Sequence, residues 1–150
     1  MKFNKLAVAL AAALGTMGTA QAATATTTFN VTANVTASCS VTATDLAFGA
    51  YDPVLLKDSS SNIAVTCTNT TPYAVDVGAT PAARTMAGPG GATLNYGMFN
   101  DSARTAPFGV TGAVGTGLVQ NYPVYGRIPA GQFGATPGAY SAVVNVTVTY

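Results

Sequence analysis

The chain has 150 residues, with 6 basic and 5 acidic side chains, no histidine, and only 7% charged residues. The absence of histidine excludes Ser-His-Asp and Cys-His catalytic sites, and the charge balance excludes a basic nucleic-acid surface and a polybasic membrane patch. Threonine and valine are common. This composition favours an all-β protein whose solvent-exposed surface consists largely of threonine, serine and asparagine.

The first segment, residues 1–22, is interpreted as a secretory signal peptide. Lys2 and Lys5 form a basic start, Leu6–Leu14 is a short apolar run, and small residues lead to a cleavage point after Ala22. A membrane anchor is the alternative, but a span needs roughly 20 apolar residues. Cleavage removes two lysines, so the remainder has 4 basic and 5 acidic residues and a net charge of −1.

A long alternating stretch follows the signal, with mostly apolar residues at odd positions and polar residues at even positions from 24 to 41. This period of two is typical of a strand with one buried face. A single strand from Ala25 to Ala43 would extend about 60 Å, whereas a domain of this size is about 34 Å across. We therefore expect a first strand at 38–44 and a separate arm at 23–37, which either folds back or leaves the domain.

The rest of the chain predicts short strands separated by glycine- and proline-rich turns. Strands are expected at 38–44, 63–68, 73–77, 94–99, 122–128 and 140–150, with short edge pieces at Val114 and 118–119, and loops at 46–53, 57–62, 80–91 and 129–138. Pro123 indicates that its strand lies at a sheet edge. One domain at 38–150 with a β-sandwich architecture is predicted.

The chain contains two cysteines, Cys39 and Cys67. In a secreted chain such a pair predicts a disulfide, which would stabilise the fold by about 3.5 kcal/mol in the chain-entropy model. A redox or nucleophilic cysteine is the alternative, but the chain has neither a CxxC motif nor a histidine.

The C-terminal strand alternates up to its last residue, and no later strand follows to cover its edge. A long, uncharged, apolar edge is an aggregation hazard that proteins normally cover. The arm of a second molecule would suit this edge, because it alternates and carries no charge. The side chains expected to enter the groove between the sheets are Phe29, Val31, Ala33 and Val35. The receiving edge is expected at Val144, Val146, Val148 and Tyr150. The alternative is that the arm pairs within its own domain.

Two passages give the sequence a family resemblance. ASCSVTATDLAFGAYDP at residues 37–53, and YPVYGRIPAGQ with PGAYSAVVNVTVTY within 122–150, resemble the spore coat protein U domain family. That family includes pilins of archaic (Csu-type) chaperone–usher pili. The resemblance implies an incomplete immunoglobulin-like β-sandwich that lacks its last strand and carries an N-terminal donor-strand arm.

The same resemblance implies partners and a location. A periplasmic chaperone would lend a strand, an outer-membrane usher would exchange it for the arm of the next pilin subunit, and the polymer would reach the surface of a Gram-negative bacterium. The expected function is a structural subunit of a pilus or fimbria that serves adhesion and biofilm formation. A spore or cyst coat or matrix protein of the same fold is the alternative, and an adhesive sugar-binding tip module is a third reading.

Other chemistry finds little support in the sequence, so we expect no enzyme, metal or cofactor. The aspartates are isolated and mostly typical of turns, which argues against a catalytic carboxylate pair, and no DxDxDG-like calcium loop is present. They are Asp45, Asp52, Asp58, Asp76 and Asp101. A sugar-binding platform could use Tyr96, Tyr122, Tyr125 and Tyr140. Core packing of these rings is the favoured interpretation.

Overall fold

A computed structural model of the chain describes residues 21–78 and 84–150. The chain divides into two compact units, Met1–Asn34 and Val35–Tyr150. In the first unit, residues 21–34 are exposed and belong to no helix or strand. The predicted signal peptide lies outside the described residues except for its last two.

In the second unit, the described residues form eight strands: β1 (Cys39–Ala43), β2 (Lys57–Cys67), β3 (Pro72–Asp76), β4 (Arg84–Ala87), β5 (Thr93–Phe99), β6 (Thr111–Val114), β7 (Val119–Ile128) and β8 (Thr147–Thr149). One sheet has the order β1-β2-β7-β5-β4, and the other has the order β6-β3-β8. Every pairing is antiparallel. A single 3₁₀ turn at Pro89–Gly91 is the helical structure of the described residues.

The core lies between the two sheets because alternate residues of the inner strands point the same way. In β2 the buried positions are Ile63, Val65 and Cys67. From the other sheet, β3 contributes the buried side chains of Tyr73 and Val75. Other strands and loops complete the same cluster with Val77, Leu94, Tyr96, Met98, Phe108, Val124 and Ile128. The fold is an incomplete immunoglobulin-like β-sandwich, which confirms the predicted fold class.

The disulfide prediction is also confirmed. Cys39 and Cys67 lie directly opposite each other where β1 pairs with β2, their Cα atoms are 4.1 Å apart, and their sulfurs are bonded. The sequence separation is 28 residues. A disulfide that closes a loop of that length contributes about 3.5 kcal/mol to the stability of the fold by restricting the unfolded chain.

Two predicted loops were wrong. Residues 57–62 form the first half of β2, where they pair with β7 from Ile128 to Pro123. Within the predicted loop 80–91, Arg84–Ala87 is strand β4, which pairs with β5 at the edge of the first sheet. Residues 79–83 lie outside the described part of the chain.

The interpretation of Pro123 as an edge-strand residue was also wrong. Its strand, β7, lies between β2 and β5. However, β5 pairs with β7 only from Tyr125 to Arg127, so Pro123 lies in the part of β7 that has β2 as its single partner. A proline is tolerated there because one side of the strand forms no ladder that would need its missing N–H.

Candidate subunit-binding groove

The C-terminal segment is less regularly paired than its alternation predicts. Ser141 forms an isolated bridge with Ala87, and Thr147–Thr149 pairs with β3, but residues 142–146 between them belong to no ladder. Among the described residues, β8 has β3 as its one strand neighbour. Its other edge therefore presents free backbone groups.

The side chains of this segment nevertheless have one inward face. Val144, Val146 and Val148 are half-buried and pack against the core, whereas Val143 is 92% exposed. The structure thus brings three of the four predicted edge residues together on one face. The fourth, Tyr150, lies beyond the end of β8 and is 60% exposed.

The opposite wall of the opening is the segment that follows β1. Residues 44–50 form no strand, but they are held against β2 by hydrogen bonds. The Thr44 N–H donates to the Asn62 carbonyl (3.0 Å), and the Ser59 hydroxyl donates to the Ala47 carbonyl (2.6 Å). The Ser61 hydroxyl also donates to the Thr44 carbonyl. These bonds fix the wall at the edge of the sheet without a regular ladder.

Leu46 and Phe48 turn inward from this wall, and Gly126 on β7 leaves room for them. A Cβ atom at Gly126 would lie 2.7 Å from the Phe48 ring and 2.8 Å from the Leu46 side chain. The Phe48 ring also packs edge-on against Tyr96, with ring centroids 6.2 Å apart. The glycine therefore determines how deeply this wall can sit on the first sheet.

Between the two walls lies a cavity of about 380 Å³ whose floor is the hydrophobic core. Buried side chains reach it from both sheets: Ile63, Val77, Tyr96, Met98 and Val124. A second cavity, of about 650 Å³, shares the lining residues Leu46, Ala47, Phe48, Met86 and Tyr140 with the first. The first cavity borders the unpaired segment 142–146, the second adjoins it through these shared residues, and we call the two together the groove below.

The sequence prediction missed several groove residues. Leu46, Phe48 and Met86 line both cavities, although none was named as a candidate site residue. Tyr140 also lines both, but it was considered only for a sugar platform. The alternation of Leu46 and Phe48 was a usable signal, but the glycine- and proline-rich context favoured a turn.

The predicted donor residues are all exposed. Phe29 is 85%, Val31 84% and Val35 83% exposed, and Ala33 is also exposed. The first three would gain most from burial, because large apolar side chains contribute roughly 1.5–3 kcal/mol each when they leave water. Their role as a donor strand stays a prediction.

An ion-pair cluster stabilises the outer surface next to the groove wall. The Arg127 guanidinium donates two hydrogen bonds, of 2.8 and 2.9 Å, to the Asp58 carboxylate. A guanidinium nitrogen of Arg104 lies 3.3 Å from the same carboxylate. The hydrogen bonds from Arg127 lower the pKa of Asp58, partial burial opposes the shift, and the charge of Arg104 adds to it. Asp58 is therefore a strand residue in an ion pair, which corrects its reading as a turn residue.

Three other aspartates do serve turns, as predicted. Asp52 accepts a hydrogen bond from the Val54 N–H (3.0 Å), and Asp76 accepts one from the Gly78 N–H (2.9 Å). Asp101 accepts bonds from the N–H groups of the turn that follows it. Within residues 21–78 and 84–150, no group of three or more His, Cys, Asp or Glu side chains could hold a metal ion.

The four tyrosines considered for a sugar platform make separate contacts. Tyr96 is buried against Phe48, and Tyr125 lies under Arg104, whose guanidinium is 5.8 Å from the ring centre. The Tyr122 hydroxyl bonds to that of Tyr73 at 2.6 Å. Burial, followed by this bond, raises the pKa of Tyr73 to about 12. Tyr140 donates to the Thr136 carbonyl (2.7 Å), so the four rings have different packing roles.

The part of the chain that the structure describes contains no helix long and apolar enough to cross a bilayer.

Comparison with known proteins agrees with this architecture. The model of the Spore Coat Protein U domain matches residues 25–147. A curated relative, "Protein U" of Myxococcus xanthus, is 31% identical over 171 residues, and the match covers 96% of this chain and 95% of the relative. Both point to a coat-type or pilin-like protein associated with the cell surface. On these matches, the chain belongs to the Spore Coat Protein U domain family.

Proposed function

We propose that the protein is a structural subunit of a secreted surface fibre, in which the arm of one copy fills the groove of the next. The observation that carries the proposal is the apolar groove beside residues 142–146, since its floor is core and its edge has free backbone groups. An added strand would satisfy those groups and cover the floor.

The arm has the properties that this groove requires. Residues 23–37 alternate, carry no charge, and present their apolar side chains to solvent. A strand with such a pattern buries one face and leaves threonine and asparagine on the other. The contact joins two different surfaces of the subunit, and a contact of this kind does not close on itself but extends into a filament.

A subunit with an open groove needs help before assembly. The proposal therefore includes a periplasmic chaperone that covers the groove during secretion and an outer-membrane usher that exchanges it for an arm. It places the mature protein on the surface of a Gram-negative bacterium, where the fibres serve adhesion and biofilm formation. It assigns no catalytic role.

The test compares two triple variants of the arm. Serine at Phe29, Val31 and Val35 should abolish fibres in negative-stain images, because it removes the side chains that would enter the groove. Serine at Thr28, Thr32 and Thr36 changes the opposite face and should leave fibres intact. Fibres from the first variant, or from a chain that lacks residues 23–37, would contradict the proposal.

A coat or matrix protein of the same fold is the second candidate, and the name of the Myxococcus relative favours it. A coat would appear as a layer around the cell and not as separate filaments. Immunogold labelling of whole cells that express the protein distinguishes these two arrangements.

A further inference from the structure

Strand directions define two ends of the sandwich. Cys39 pairs with Cys67 at one end, which also contains the 67–72 turn and the 114–119 loop; we call it the arm end. Lys57 pairs with Ile128 at the other, which contains the 51–57 and 129–133 loops; we call it the far end. β2 connects the two over about 33 Å.

Each end is held together by hydrogen bonds between its loops. At the arm end, the Gly117 N–H donates to the Cys67 carbonyl (3.0 Å), and the Ser38 N–H donates to the Thr68 hydroxyl (3.1 Å). At the far end, the Gly131 N–H donates to the Pro53 carbonyl (2.7 Å). The loops that form each end therefore have fixed positions relative to one another.

Each end also presents exposed apolar side chains. At the far end, Val54 and Leu55 are 65% exposed and Phe133 is 71% exposed. At the arm end, Leu118 is 72% and Val119 60% exposed. The segments 35–38, 67–72 and 114–119 contain no charged residue. Exposed apolar side chains grouped in this way mark interaction surfaces. A contact between the arm end and the far end would bury no charged side chain of the arm-end segments, and so would avoid the cost of burying a charge there.

The geometry of the proposed fibre brings these two ends together. β8 runs from the far end towards the arm end, since Thr147 is opposite Asp76 and Thr149 is opposite Ala74. An added strand that is antiparallel to β8, like the strand pairs among the described residues, runs the other way. Its last inserted residue, Val35, therefore leaves the groove at the far end of the acceptor.

The connection from that point to the donor domain is short. Three residues separate Val35 from Cys39, the first residue of β1. Four residue steps reach at most about 14 Å. The arm end of the donor must therefore lie close to the far end of the acceptor, and this follows from the length of the backbone alone, independently of any side-chain contact.

We propose that a second interface joins neighbouring copies, in which Leu118 and Val119 of one subunit pack against Val54, Leu55 and Phe133 of the next. This inference rests on the proposed function and adds a contact outside the groove. The arm provides the connection, and the second interface fixes the angle between subunits and stiffens the fibre.

Cross-linking tests the contact directly. Fibres whose subunits carry both Leu118→Cys and Leu55→Cys are treated with a short bis-maleimide and boiled in detergent. We expect a ladder of covalent multimers from this pair. The matched control, Thr42→Cys with Leu55→Cys, places one thiol on the exposed face of β1 and should yield no ladder.

Charge substitution gives an independent readout. Fibres with Leu118→Lys should form, because the arm is unchanged, but should have a shorter persistence length in negative-stain images. Adding Leu55→Asp to the same chain should restore the stiffness, since opposite charges then meet across the contact. Unchanged stiffness with Leu118→Lys, or fibres of the cysteine pair that yield no ladder, would overturn this inference alone. Absence of fibres from the unmodified protein would instead overturn the proposed function.

Discussion

The contribution of Phe29 to the groove can be measured within a single chain. In this design, residues 23–37 are moved from the front of the domain to a position after Tyr150, joined by an Asn-Gly turn that favours an antiparallel hairpin. The moved arm then fills the groove of its own subunit. Phe29→Ala in this chain tests the arm without polymerisation, chaperone or usher.

The expected loss follows from exposure. Phe29 is 85% exposed in the unassembled chain, so nearly all of its transfer free energy is still available. Burial of such a side chain contributes roughly 1.5–3 kcal/mol. We expect Phe29→Ala to lower the free energy of unfolding by about 2 kcal/mol, which corresponds to about 30-fold in the equilibrium constant.

Urea denaturation followed by circular dichroism measures this difference. The matched control is Thr28→Ala, because Thr28 is the neighbouring residue on the opposite face of the arm. Its effect should stay within about 0.5 kcal/mol, as for most surface substitutions. Equal effects of the two substitutions would refute the assignment of the odd positions to the groove.

Three further predictions concern the receiving domain. Val146→Asp should lower the yield of chaperone-bound subunit in the periplasm, because it places a charge on the groove face. Val143→Asp, on the exposed face, should leave that yield unchanged. Equal yields from the two variants would count against the groove. Gly126→Ala should destabilise the self-complemented chain by roughly 1–3 kcal/mol through overpacking against Phe48, measured by urea denaturation; an unchanged midpoint would contradict this. The lowered pKa of Asp58 means that its ion pairs stabilise the fold above the ordinary carboxylate pKa and lose this effect as the pH falls through the lowered value. The stability advantage of the wild type over Asp58→Asn should therefore be constant above about pH 5 and decline below about pH 4; an advantage that persists at lower pH would argue against the ion pairs.

The sequence allowed the sandwich and the disulfide to be predicted, because alternation and cysteine pairing are local signals. The same rules failed for residues 57–62, where a run of polar residues indicated a loop. In the structure, Ser59 and Ser61 bind backbone carbonyls of the groove wall, and Asp58 binds two arginines. Polarity in this strand serves contacts with a neighbouring segment, which a pattern along one segment cannot reveal.

The groove shows a similar division. Its last-strand face was predictable from the alternation of Val144, Val146 and Val148. Its opposite wall was not, because Leu46 and Phe48 depend on the space above Gly126, a feature that exists only after β7 is in place. Arg104 was missed for the same reason, because its guanidinium donates a hydrogen bond of 3.0 Å to the Gly126 carbonyl on β7. The backbone of Arg104 has a positive φ of 60°.

The Cys39–Cys67 bond has a mechanical consequence in the proposed fibre. Tension on the arm would enter the domain at Cys39, at the end of β1, an edge strand with a single neighbour. An edge strand pulled from its end peels away one hydrogen bond at a time. A covalent bond at the first pair prevents such peeling and passes the pull to β2, a strand flanked on both sides. Under traction, each subunit would then yield at its non-covalent joint before its own fold begins to tear.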